Sequence, residues 1–296
     1  MSSSATTPRL SVELPLLGLL ALLWGGSYLF LKIAVAEIPP ITLIAIRVSV
    51  AAAFLGMIAL VRGAAWPRGP GIWTRLLWQA VLNSIAAWTL LAWGQQYVDA
   101  GLAAVLNSTA PIFVFFIGLA LGTREGAWRL LGASIGLVGI VLIVGTDALS
   151  GLGADVWGQL AVLASAVLYA GAALHGRHFN GISPVVTAAG TMIWATVWLV
   201  PASLLLEAPW RLSPSPQALG AALTLGVACT GVALMLYFRL VRTLGPMGVA
   251  SQAYLRAGVG VALGALILGE TVPPVIWAGV VTTLAGVALI NLAQRR

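Results

Sequence analysis

The sequence predicts an all-α polytopic membrane protein of ten transmembrane helices, built as two inverted five-helix repeats around a central cavity. Three observations predict it. The chain is 60% hydrophobic and only 8% charged, where soluble domains carry about 25% charged residues. Apolar runs, each near the length that crosses a bilayer core as a helix, fill it from end to end. Arginines gather on one side of those runs.

In order, the runs cover 14–36, 41–61, 76–98, 101–122, 128–146, 156–174, 184–206, 217–238, 247–269 and 275–292. Breakers such as Pro39-Pro40, Gly69-Pro70, Ser150-Gly151, Ser213-Pro214 and Pro273-Pro274 separate them. The connections are too short to hold a soluble domain. The reading divides the chain into a tail at 1–13, a first repeat at 14–146, a linker at 147–155, a second repeat at 156–292 and a tail at 293–296. Residues 1–9 are polar and the first run is long enough to span, so no cleavable signal peptide is expected. The lone Cys229 allows no internal disulfide. The formal charge of +7 is spread along the chain, and without a dense basic cluster it does not point to nucleic acid.

The repeat shows on shifting the sequence by 147 positions. Residues 101–143 then lie over 248–290 without a gap, with 12 identities in 43 positions, among them Gly101, Gly122, Gly132 and Gly139. Pro111 becomes Gly258, and Thr109 becomes Arg256. With the N-terminus in the cytoplasm, the inner segments hold Arg9, Arg62, Arg68, Arg75, Arg124, Arg129, Arg177, Arg239, Arg242, Arg295 and Arg296, and the outer loops hold Arg211. That bias of eleven to one places both termini inside. Glu37, Asp99, Asp147, Asp155, Glu207 and Glu270 collect outside. Five helices per half is an odd number, so the halves must run in opposite directions, an arrangement found in transporters.

Within this frame the polar residues inside runs become candidate site residues. The fourth run carries Asn107, Ser108 and Thr109 beside Pro111, which lacks an N–H and leaves the Asn107 carbonyl without its helical partner. In lipid that carbonyl must be satisfied inside protein or in a water-filled cavity. Arg256 sits nine residues beyond Met247, roughly 14 Å along a helix and so near the midplane. A charge at that depth is a functional-site hypothesis; it binds an anionic group such as a carboxylate, or it braces helices. Gln252 lies one turn before it on the same face. Arg47, Pro111 and Gly258 are read as structural or gating positions. Trp24, Ser27 and Tyr28 share a face of the first run, and Ser84, Trp88, Leu91 and Gln95 share one of the third. Such rings beside a few polar groups suit a largely apolar solute, or ordinary packing. Tyr169 has a hydroxyl that needs a partner at its depth. The candidates for the cavity lining are therefore Trp24, Tyr28, Ser84, Trp88, Asn107, Ser108, Tyr169, Gln252, Tyr254 and Arg256. Trp66, Trp73, Trp78, Trp128, Trp157, Trp210 and Trp277 fall at predicted ends or in loops, as an interfacial belt does. Gly118/Gly122, Gly132/Gly136 and Gly260/Gly264 read as packing pairs.

No Asp or Glu falls deep in a run, which argues against a proton relay. No nucleotide-binding loop, paired carboxylates, nucleophile elbow or metal-spaced histidines occur, so neither cofactor, metal nor catalysis is expected.

The stretches LLWGGSYLFLKIA in the first run, AIRVS in the second, GLAAVLNSTAPIF in the fourth and LILGE closing the ninth resemble the drug/metabolite transporter superfamily, EamA type. The resemblance spans essentially the whole chain and looks most like the YddG-type exporters of aromatic amino acids. It implies a cavity open alternately to either side, and export of amino acids or other metabolites from the bacterial inner membrane. Many relatives carry Glu-Pro in the ninth helix where this chain has Arg256-Ala257, which removes a proton-binding carboxylate. The expectation is facilitated export of large apolar or aromatic amino acids, with other small solutes such as drugs or nucleosides, a membrane-embedded enzyme, or an assembly protein as alternatives.

Overall fold

Proline sets where five of the helices begin. It fixes φ near the helical value and lacks the N–H that a first turn leaves unpaired anyway. In the computed structural model, Pro40, Pro70, Pro184, Pro216 and Pro274 each open a helix. The structure describes residues 10–94, 97, 105–123, 126–144, 155–256, 259 and 274–293, without the side chains of 28, 29, 31, 32, 35, 92 and 144.

The helices are α1 (Leu10–Val35), α2 (Pro40–Val61), α3 (Pro70–Ala80), α4 (Ala86–Gly94), α5 (Ala110–Ala120), α6 (Ala127–Val144), α7 (Val156–His175), α8 (Pro184–Leu206), α9 (Pro216–Gly226), α10 (Ala233–Ala250) and α11 (Pro274–Leu292). A π-helical turn, Val81–Ile85, joins α3 to α4, and a second, Val227–Val232, joins α9 to α10. The 147-residue shift carries the first of these onto 228–232, inside the second. No strand occurs among the described residues, and six helices there are long and apolar enough to cross a membrane. Leu60, Val61, Leu205, Leu206 and Trp157 are each at least 70% exposed, an apolar outer surface that suits lipid.

Several expected boundaries move. The first helix begins at Leu10, because Glu13 does not end it; its carboxylate pairs with Arg239 at 2.9 Å. The third begins at Pro70, after Gly69 turns the chain with φ at 112°. The eighth run does not stop at 238 but continues helically to Leu244. The break comes at Gly245, whose φ of 72° suits glycine, followed by Pro246. Pro111 does not bend a continuous helix. Residues 105–107 end in a turn at Ser108 and Thr109, and Pro111 takes the first turn of a new helix, where proline costs no hydrogen bond.

Small residues let the helices close on one another. Between α6 and α11, a Cβ added at Gly132 would lie 2.9 Å from the Gly286 carbonyl oxygen. One added at Gly279 would lie 2.9 Å from the Gly139 carbonyl oxygen. The paired order, 132 with 286 and 139 with 279, makes these helices antiparallel. It also exchanges under the 147-residue shift, which maps 132 onto 279 and 139 onto 286. The pair Gly260/Gly264 lies outside the described residues.

The two ends of the bundle are tied differently. At one end, Glu13 accepts from Arg239 and Thr243, Arg242 donates to the Ile182 carbonyl, and a His175 ring nitrogen meets the Arg75 carbonyl. At the other end, the Glu207 carboxylate accepts from the backbone N–H of Ile41 (3.1 Å) and Thr42 (2.6 Å) at the start of α2, where the helix dipole favours an anion. There too Glu37 accepts from the Ser215 backbone N–H (2.6 Å) and hydroxyl (2.7 Å). Those two bonds hold the Glu37 carboxyl below its ordinary value, the backbone one most.

Candidate functional site

Three of the helix breaks, at the first π turn, before α5 and at Ser251, border a cavity of about 130 Å³. It is lined by residues from α1, α2, the first π turn, α4, either side of the turn before α5, α7, α10 and 252–256. Each interruption frees a short stretch of backbone from helical register and sets polar side chains into an otherwise apolar bundle. π turns in α-helices often mark such places.

Two arginine–tryptophan pairs face this space. The Arg47 guanidinium carbon stands 4.2 Å from the centre of the Trp88 ring. Its Nε donates to the Thr230 hydroxyl at 2.6 Å, and that hydroxyl in turn donates to the Leu225 carbonyl. The second π turn thus fixes Arg47 from the far side. Arg256 stands 5.9 Å from the Trp24 ring centre, a looser cation–π distance. It makes no ion pair with a described residue. Trp24 packs on Tyr237 with ring centres 5.7 Å apart, and the Trp24 carbonyl accepts from the Ser27 hydroxyl.

Of the three lining amides, Asn83, Asn107 and Gln252, two leave an acceptor unpaired. Asn107 is 5% exposed and Gln252 7%. Asn107 Oδ1 and Gln252 Oε1 are both buried without a hydrogen-bond partner. An unpaired buried acceptor costs about 1–3 kcal/mol, so two of them lining one cavity form a site short of donors. Among the described lining residues none is acidic.

Of the residues singled out in the sequence, Trp24, Trp88, Asn107, Tyr169, Gln252 and Arg256 line the cavity, and so does Arg47. Three do not. Tyr254 is fully buried in the slot left by Gly136, and its hydroxyl donates to the Ala133 carbonyl at 2.9 Å, so it pins this segment to α6. Ser84 is buried within the π turn, where it accepts from the Asn83 side chain at 3.2 Å. Ser108 is buried in the turn before α5, away from the lining. The Tyr28 side chain and Gly258 lie outside the described residues, and Pro111 is buried in the first turn of α5. The sequence reading missed Asn83 and Tyr237. Asn83 had a signal, an amide in mid-run beside Ser84. Tyr237 had none, because ending the run at 238 placed it near an interface.

Comparison with known proteins gives this geometry a family. The sequence profile of the EamA-like transporter family matches residues 13–145 and again 156–292. The chain is 26% identical over 284 residues to the uncharacterized inner membrane transporter YedA of Escherichia coli (strain K12), covering 95% of this chain and 92% of that one. It is 27% identical over 219 residues to a probable terminal-alkyne amino-acid exporter of Streptantibioticus cattleyicolor, covering 70% of each. A solved crystal structure shares the fold with a TM-score of 0.81 at 19% identity, over 97% of this chain and 99% of its own. A cavity formed where membrane helices break, in a chain whose two halves both match one transporter profile, leads to one conclusion: the protein belongs to the EamA-like transporter family.

Proposed function

We propose that the protein exports amino acids with aromatic or large apolar side chains, by alternating access and down their own gradients. It does so as ten helices in two oppositely directed repeats, 14–146 and 156–292, with both termini in the cytoplasm. One observation carries the substrate class. A single cavity combines Arg256, a cation that pairs with no anion among the described residues, with two unpartnered acceptors, Asn107 Oδ1 and Gln252 Oε1, and with the rings of Trp24, Trp88 and Tyr237. An α-amino acid is the complement of that set. Its carboxylate meets the guanidinium, its ammonium donates to the amide oxygens, and its side chain lies among the rings.

Arg47 is different in kind. Its bonds to the Thr230 hydroxyl and the Cys229 carbonyl and its place over Trp88 commit it to holding α2 against the second π turn and setting the angle of the Trp88 ring. The matched register of the two π turns and the exchange symmetry of the glycine seam support the inverted repeat. The absence of an acid among the described lining residues supports transport without proton coupling. The relative that is a probable amino-acid exporter supports the substrate class, and the YddG-type exporters, on the motifs given above, support the aromatic preference.

The test is binding to purified protein in detergent. L-Phenylalanine should bind, and β-phenylethylamine, which lacks the carboxylate, and 3-phenylpropionate, which lacks the ammonium, should each bind at least tenfold more weakly. Equal or tighter binding of the bare amine would overturn the assignment of Arg256 and with it the substrate class.

A further inference from the structure

The arginine-rich end of the bundle holds a second hollow, larger than the first, of about 980 Å³. Its walls are the connection into α6, the segment after α7, the Gly245 kink of α10 and the last turn of α11. Three guanidinium groups line it, those of Arg129, Arg177 and Arg242, and no acidic side chain is among its described lining residues. Arg129 is a charge only 9% exposed. Arg242 is held over the hollow by a 3.3 Å bond from its guanidinium to the Ile182 carbonyl.

Apart from Thr123 and Asn180, the rest of the described lining is glycine or apolar. Val241, Pro246, Leu289 and Leu292 form part of the wall, and Trp128 stands beside Arg129 with its ring 57% exposed. Guanidinium groups select phosphate by their forked donors, and an exposed indole at a helix end sits at headgroup depth. A small soluble anion would use the arginines and leave the apolar wall unfilled. A phospholipid would use both.

We propose that this hollow seats an anionic phospholipid, with its headgroup phosphate on Arg129, Arg177 and Arg242 and the start of its acyl chains against Leu289 and Leu292. Basic recesses between transmembrane helices suit this class of ligand. The lipid would tie α10 to α11 at the end opposite the Glu37 and Glu207 contacts.

The experiment uses the full chain in a neutral detergent. Phosphatidylglycerol, phosphatidylcholine and inorganic phosphate are added separately, and the melting temperature and the lipid retained in native mass spectrometry are read. Phosphatidylglycerol should raise the melting temperature and be retained at one copy per chain, with little effect from the other two. The double variant Arg177→Gln/Arg242→Gln should bind it at least tenfold more weakly. If that variant does not fold, Arg242→Gln alone, at an exposed position, should still weaken retention several-fold. Equal retention of phosphatidylcholine, undiminished retention by the variants, or a matching shift from inorganic phosphate alone would overturn the lipid assignment.

Discussion

Replacing Gly286 by alanine drives a methyl group into the backbone of the facing helix. The added Cβ would lie 2.5 Å from the Gly136 nitrogen, 2.6 Å from the Gly132 carbonyl oxygen and 2.7 Å from the Gly136 Cα. Carbon contacts relax at about 3.5–4.0 Å, so α6 and α11 must part by roughly 1 Å. None of the three atoms can swing aside, because all belong to the helix backbone. Overpacking of this kind costs about 1–3 kcal/mol, and the better helix propensity of alanine offsets up to about 1 kcal/mol of that. The net expectation is a loss of about 1–2 kcal/mol, or several degrees of melting temperature. The control is Gly220→Ala on α9, where a Cβ meets nothing within 4 Å. Thermal unfolding in detergent, followed by tryptophan fluorescence, should show Gly286→Ala melting below the parent and Gly220→Ala at or above it. Equal melting of Gly286→Ala and the parent would refute the seam as the close contact between these helices.

In a Cys229→Ala background, cysteines placed at Asp155 and Ser213 should react with an impermeant reagent from outside, and those at Gly69 and Arg177 should not; the reverse pattern would invert the orientation. Arg47→Lys should lower thermal stability, because lysine cannot span both Thr230 and the Trp88 ring, and it should leave apparent substrate affinity within a few-fold; unchanged stability with lost affinity would make Arg47 a binding residue. Glu37, held below its ordinary value by Ser215, contributes stability that is present above pH 4.5 and lost as the pH falls through its lower folded value. Stability of the parent should therefore fall more steeply with acid below pH 4.5 than that of Glu37→Gln; parallel profiles would show that this contact does not matter.

The class of the fold was legible because hydropathy and proline record it directly. Pro40, Pro184, Pro216 and Pro274 each start a helix within a residue of the apolar runs they precede. Polar helix ends were not legible. Arg239, Arg242 and Thr243 look like a loop in sequence, yet they extend α10 because Glu13, 226 residues away from Arg239, accepts from Arg239 and Thr243. The π turns were hidden for another reason, since an i→i+5 register changes no residue type. Side-chain facing failed where the deciding neighbour is remote. Tyr254 and Tyr237 are both tyrosines inside apolar stretches. One fills the slot above Gly136 and the other stacks on Trp24. The two membrane arginines divide likewise. Nothing local to Arg47 announces Thr230, and nothing local to Arg256 shows that no described residue pairs with it as an anion.

The most direct measurement is counterflow in proteoliposomes loaded with unlabelled L-phenylalanine, with no pH gradient or membrane potential. Labelled phenylalanine added outside should accumulate transiently in liposomes holding the parent protein, and not in those holding Arg256→Gln. Alanine should exchange more slowly, and Trp88→Ala should narrow that difference. No exchange of any aromatic or large apolar amino acid, or exchange only under an imposed proton gradient, would contradict the account.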